Sequence, residues 1–575
     1  MKTITKITLT LLLGAAVAVS CKKEEPVYTI TADRNAVADV PANSPGAEVI
    51  VVTTDAPYWI LQTPDWVKAD PVTGVGGGNS TIVTLTVSSN FKNESTPTNP
   101  RSGVLKFSGG KTSLSIPINQ LGHSAAIDPS LSIGGIPSMD EFRDFIAAVN
   151  EGNGLVRWMN NSWEVELLTD LDLTDFGEWT PIGNVEASGN ANNLSKATGN
   201  TFSGIFNGGG HTIRGFKATK ELNTAKQTWG LFGYIDHATI KNLNVEADIT
   251  LSATAEADAG IVAGTVYCST IENVKVNAKI TSSGSSASSR FAIGGIAGFI
   301  YSVYDSSESV AYDSYIKDCE VTADVTIDCG ANTANNANCV MYGGIVAFST
   351  NVKDNSRNHI ENCTNNGTMT MKIGRCSGIC PTANYGTYLE HCTNNASQVN
   401  TIVGGRIGQI CCNLSVQSHL IDCVNNGDLT TTDSGTTTGA LVALIGDDTA
   451  FIEGGERVAN TGTIIGCNTT PVTGGSIGYL GLLCANTNKF DHVSDVILSG
   501  KLGKYKSDGN HEMYDVNAGN IMEFIGRLNP TYAEKVTNIT YIKDAGPGPD
   551  DPDTPDSPDK NGGIDGLDLI DDIWN

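Results

Sequence analysis

The 575-residue chain carries 62 Asp and Glu against 36 Lys and Arg, a formal net charge of -26. Such a surface repels phosphate backbones and argues against nucleic-acid partners. Charged residues make up only 17% and glycines number 63, a balance suited to many turns and stacked strands rather than helical bundles, in a chain long enough for two or more domains.

At the N-terminus, Lys2 and Lys6 precede an apolar run over 7–19 that is too short for a stop-transfer span. Residues 1–20 read as a secretory signal. Ala18, Val19 and Ser20 before Cys21 resemble the lipobox of bacterial lipoproteins, although the usual Leu three residues before the cysteine is missing. The resemblance implies cleavage before Cys21 and a lipid on its sulfur, with 21–27 as a tether. "CKKEEP" from Cys21 resembles the surface-export signal of Bacteroidetes lipoproteins. It implies an outer-membrane protein, lipid-anchored and facing the cell exterior.

Over 28–122, runs such as "EVIVVTT", "TIVTLTVSS" and "GVLKFSGG" alternate with Gly, Pro and Asn clusters, the pattern of a β-sandwich. Trp59, Trp66, a Gly-rich turn, Asn90, Arg101 and Gln120 follow an order that resembles the BACON domain, a small immunoglobulin-like module. Trp59 and Trp66 are candidate ligand-binding residues, since an indole face suits the apolar face of a pyranose; core packing is the preferred role for both.

After a linker over 123–137, Ser138 and Glu141 have capping-box spacing, and Phe142, Phe145, Ile146 and Val149 form an apolar stripe. A helix over 138–150 is expected to cap the N-terminal end of the repeat domain. "FSGIFNGGGHTIRGF" and "WGLFGYIDHATIKNLNV" resemble the GLUG repeats of bacterial surface proteins. Self-similar units then start at Ile240, Ile271, Ile316, Ile360, Leu389, Leu420 and Val458, between 29 and 45 residues apart. Stacked at about 4.8 Å, such units build a right-handed parallel β-helix over 138–543. The expected fold class is therefore all-β: an immunoglobulin-like sandwich, then that β-helix with its N-terminal capping helix.

Two alignment columns recur. One holds Leu243, Val274, Cys319, Cys363, Cys392, Cys423 and Thr461. Cysteine takes the place of leucine and valine there, so it reads as a buried apolar ladder, with disulfides and zinc as lesser alternatives. In-register side chains on parallel strands point the same way, which disfavours direct bonding. The other column holds Asn242, Asn273, Asp318, Asn362, His391, Asp422 and Asn460, residue types that tolerate left-handed backbone at corners. The "NNG" and "NNA" phrases after the cysteines read as turns. Residues 544–575, rich in Pro, Asp and Gly, read as a disordered acidic tail.

Catalytic signatures are sparse. "HEMYD" at His511 places Asp515 where a zinc protease needs a second histidine, and "DLDLTDFGE" from Asp170 lacks EF-hand spacing. No metal or cofactor is expected and no catalytic residue is nominated. Arg357, Arg375, Arg406 and Arg457 fall in different alignment columns. The preferred function is non-catalytic recognition of a glycan, mucin or surface protein, with the Cys21 lipid in the outer membrane. A polysaccharide lyase or glycoside hydrolase is the alternative, and a structural scaffold of a surface complex the third.

Overall fold

The computed structural model describes residues 27–543 and the strand Gly563–Ile564, apart from short internal stretches, the longest being 467–478. The signal over 1–20, Cys21 and most of the tail over 544–575 lie outside the described residues. The chain divides into two compact units, Met1–Ala126 and Ile127–Asn575.

In the first unit, strands Ile30–Ala32, Ala47–Thr54, Asn79–Val87 and Val67–Asp70 form one sheet. Val37–Val40, Thr112–Gln120, Arg101–Gly109, Trp59–Gln62 and Thr73–Gly74 form another. Period-two alternation aims Ile50, Val52, Val83 and Leu85 of one sheet and Leu105, Phe107, Ile116 and Ile118 of the other into a single core. Trp59 belongs to that core, 1% exposed and 5.7 Å from the Phe107 ring. It has no face to offer a ligand. Trp66 is half-buried with the Arg101 guanidinium 4.6 Å from its ring.

The second unit begins with the helix Met139–Glu151. Ser138 accepts from the Glu141 amide at 3.3 Å, and Gly152 ends the helix in left-handed backbone at φ 75°. Only half of the expected capping box forms, because the Glu141 carboxylate accepts from Arg157 and Trp158 instead. Phe142 and Phe145 pack against Trp179, Trp158, Phe202 and Phe206, closing the start of the core.

From there each repeat pairs in parallel with the next. Leu243 lies opposite Val274, Ile271 opposite Ile316, Ile360 opposite Leu389, and Leu389 opposite Leu420. The glycine-containing segments between them form two eight-stranded parallel sheets. The other strands close on themselves. Thr270–Ser285 pairs with both Ser314–Lys317 and Glu320–Asp328. The first row continues through Asn358–Glu361, Thr387–Glu390, His419–Ile421 and Phe451–Glu453. The second continues through Thr364–Lys372, Thr393–Asn394, Val424–Asn425 and Val458–Asn460. Both rows end on Val493–Leu498.

This pairing ring, a closed parallel barrel of 12 strands, corrects the expected fold class. A right-handed parallel β-helix would have separate faces divided by corners. Here the strands at the two ends of the ring run through the bend. The physical reason is that single left-handed residues turn the chain while the pairing continues on either side: Asn273 at φ 50° and Asp495 at φ 59° sit inside Thr270–Ser285 and Val493–Leu498.

In the bend column, Asn242, Asn273, Asp318, Asn362, His391 and Asp422 all have φ between 43° and 55°. Asn273 donates to Asn242 at 2.7 Å and Asn362 to Asp318 at 3.3 Å, while His391 meets Asp422 at 3.1 Å. Asn460 does not belong there. It pairs with Asn425, in a row whose sequence has the chemistry of turns. Asn365, Asn394, Asn425 and Asn460 are at most 1% exposed, and each amide donates to the next at 2.8 Å. The row also explains two glycines: a Cβ on Gly344 would lie 2.5 Å from Asn365, and one on Gly378 2.0 Å from Asn394.

The thiol column is buried. Leu243, Val274, Cys319, Cys363, Cys392 and Cys423 are at most 2% exposed, and the four cysteines are free. Cys363, Cys392 and Cys423 donate to the carbonyls of Ile316, Ile360 and Leu389 at 3.2 to 3.4 Å.

Replacing Asn394 with Ala would orphan a buried donor on Asn365 and leave the Asn425 side-chain oxygen with the Gly427 amide alone. Asn394→Ala is expected to lower stability by about 2–3 kcal/mol, read as a fall in the urea midpoint without a change in slope.

Candidate functional site

Past the bend, alternation turns every second side chain outward. Asn244, Lys275 and Glu320 share one outward row, and Glu246, Asn277 and Thr322 the next, while Val245, Val276 and Val321 point into the core. With Thr212 these outward residues line an open cleft of about 420 Å³, floored in part by Val245 and Val276. Lys275 lies 3.3 Å from Glu320, and Asn244 donates to the Gly210 carbonyl at 2.8 Å. Glu246 and Asn277 are exposed. The cleft therefore offers amide, hydroxyl, ammonium and carboxylate groups, the group set that fixes a polyhydroxylated ligand. Its residues come from strands 31 to 45 positions apart, and sequence reasoning singles out none of them.

On the other side of the bend, Tyr315, His359, Tyr388, His419, Phe451 and His492 form a row of rings. Neighbouring centroids lie 4.7, 5.1, 4.5, 3.9 and 4.5 Å apart, and all contacts but Tyr388–His419 are stacked. Because the rings cover one another, this row is a poor platform for sugar rings. His359 is its electrostatic centre: Nδ1 lies 3.2 Å from Glu361 and 3.5 Å from Glu390. Burial alone would lower its pKa, but the hydrogen bonds to Glu361 and Glu390 outweigh that and hold it up at about 9. His419 is pushed down to about 4, chiefly by burial.

Among the described residues, His359, Glu361 and Glu390 are the group that could hold a metal ion, with one atom from each within 4.8 Å of the others. The imidazolium already supplies the positive charge between the two carboxylates, so a cation would have to displace its proton.

Burial withdraws Trp59 as a ligand contact, and Cys21 lies outside the described residues. The arginines are not all in different columns: Arg375 and Arg406 are direct register partners. Arg457 pairs with Asp422 at 3.0 Å. Among the described residues no helix is long and apolar enough to cross a membrane.

No family model matches the chain, and no curated protein matches it. Among solved structures, it is similar to a Bacteroides ovatus GH5 xyloglucanase in complex with a XXXG heptasaccharide. That match has 16% identity over 20% of this chain and 21% of that chain, with a TM-score of 0.14. A likeness of this size carries no argument about fold or activity.

The His359 cluster has a pH signature. Its folded pKa of about 9 lies above the ordinary histidine value of 6.5, so its contribution to stability is fully present below pH 6.5 and is lost as pH rises through 9. The melting temperature of the native chain is expected to fall more steeply between about pH 6.5 and 9.5 than that of His359→Gln, measured by thermal unfolding at fixed ionic strength.

Proposed function

We propose that the chain binds a glycan in the cleft lined by Asn244, Glu246, Lys275, Asn277, Glu320 and Thr322, as a recognition protein held at the outer-membrane surface by a lipid on Cys21. The observation that carries this reading is the cleft itself: an open concavity of about 420 Å³ whose amide, carboxylate and ammonium groups come from three adjacent layers. Several donors and acceptors at layer spacing suit the hydroxyls of consecutive sugar units. The resemblance of the first unit to BACON modules and of the repeats to GLUG motifs belongs to the same proposal.

Glycan cleavage is the second reading, and one observation favours it. Glu246 and Glu320 line the same cleft, and glycoside hydrolysis uses two carboxyl groups flanking the scissile bond. Lys275, beside Glu320, supplies a cation for an anionic substrate.

A glycan array probed with the full chain tests both. Binding is expected to weaken at least tenfold in Glu246→Ala and in Asn277→Ala, with the melting temperature unchanged because both side chains are exposed. A blank array, or affinities unmoved by both substitutions, contradicts the proposal. Release of reducing ends, or absorbance rising near 230 nm from unsaturated uronates, that is lost in both Glu246→Gln and Glu320→Gln would establish cleavage over recognition.

A further inference from the structure

Parallel in-register pairing sets each charged side chain beside its counterpart in the next layer, and the chain answers by alternating sign. Lys317 meets Glu272 at 2.9 Å, Lys275 meets Glu320 at 3.3 Å, and Arg214 meets Asp172 at 3.0 Å, each pair being direct register partners. Glu361 and Glu390, themselves register partners, depart from this rule with His359 between the two carboxylates; a second departure has no such neutralising group among the described residues. In one of the eight-stranded sheets, Met341, Arg375, Arg406 and Thr437 occupy successive positions, which puts two guanidinium side chains on neighbouring strands.

Arg375 is only 4% exposed. Its Nη1 donates to Thr382 Oγ1 at 3.1 Å, and its Nε is buried without a partner. Arg406 is half-buried. Among the described residues, neither has a carboxylate within ion-pair distance, and Arg406 makes no hydrogen bond through its side chain. Burial, and then the charge of Arg375, lower the pKa of Arg406.

Arg290, in the preceding repeats of the same sheet system, shows how the fold treats a buried arginine elsewhere. It is 5% exposed, ion-pairs with Asp258 at 2.6 Å and Glu256 at 3.4 Å, and lies over the rings of Phe299 and Phe348. A chain of net charge -26 has no shortage of acids to place beside Arg375 and Arg406. A buried cation beside a half-buried one, with no counter-charge among the described residues, is unfavourable, whereas the same pair around an anion gives charge-assisted, fork-shaped hydrogen bonding.

We propose that Arg375 and Arg406 form a receptor for one oxyanion, a sulfate or carboxylate group, either as the free ion or as a substituent on an acidic ligand. Arg375, oriented by Thr382, is the floor of the site and Arg406 its solvent side. The site lies on a different sheet from the cleft around Glu246 and does not depend on the glycan reading.

Thermal unfolding and calorimetric titration of the full chain with sodium sulfate, against sodium chloride at matched ionic strength, test the proposal. Wild-type protein is expected to show saturable sulfate stabilisation in the millimolar range. Arg406→Gln should keep only the non-saturating rise that sulfate gives proteins in general, with calorimetric affinity at least tenfold weaker. Should Arg406→Gln not fold, Arg406→Lys, which keeps the charge and loses the fork, decides by the same comparison. Glucuronate and a sulfated oligosaccharide identify the source: tighter binding of either than of free sulfate assigns a glycan substituent, and equal or weaker binding the free ion. Sulfate responses identical in wild type and variant, or no saturable response in wild type, overturn the proposal. Because Glu246→Ala reads the cleft separately, each proposal can fail alone.

Discussion

Parallel pairing in register is the constraint on which the second unit depends. At a strand spacing of about 4.8 Å, each side chain meets the residue at the equivalent place in the next repeat, with no freedom to choose a distant partner. A position is therefore occupied well only by a residue that is compatible with its own neighbours along the row. Asparagine meets this condition because its amide both donates and accepts, so Asn365, Asn394, Asn425 and Asn460 satisfy one another inside the core. Cysteine meets it by being small and apolar, with a weak donor that reaches a carbonyl of the preceding layer. Aromatic rings meet it by stacking.

The same constraint directs where a ligand can bind. Charged rows must alternate in sign or find an outside partner. The alternating rows on the outer sheets are stabilised from within and leave polar groups free in the cleft past the bend. At Arg375 and Arg406 the alternation fails. His359 shows a third solution, a proton held between Glu361 and Glu390 on adjacent strands.

How much of this is legible in the sequence varies with what each row contains. The thiol and bend columns can be read because one residue type, or one chemical need, recurs at a fixed distance from an aliphatic residue; Cys363, Cys392 and Cys423 each follow Ile360, Leu389 and Leu420 by three positions. The ring row escapes notice because Tyr315, His359, Tyr388, His419 and Phe451 share shape and not identity. The buried asparagines read as turns because "NNG" has turn chemistry: in "TNN" the first Asn faces inward and the second outward, and only the register reveals this. Arg375 and Arg406 fall apart in a sequence alignment because the segments before them differ in length, which hides a shared column. The ring of pairings is invisible for a related reason, since no local signal says that a strand continues through a left-handed residue. The cleft depends on residues from three repeats and has no local motif.

Successive layers stack cysteines into a dry interior row, and native-state alkylation with a maleimide, followed by mass spectrometry of individual peptides, addresses that row directly. Burial pushes the Cys363 and Cys423 thiols well above the usual thiol range, which removes the reactive thiolate along with access. Cys319, Cys363, Cys392 and Cys423 are expected to stay unlabelled in the folded chain and all to label as free thiols once it is unfolded without reductant. Rapid labelling of these residues in the native state, or their failure to label after unfolding, would contradict the stacked, dry row.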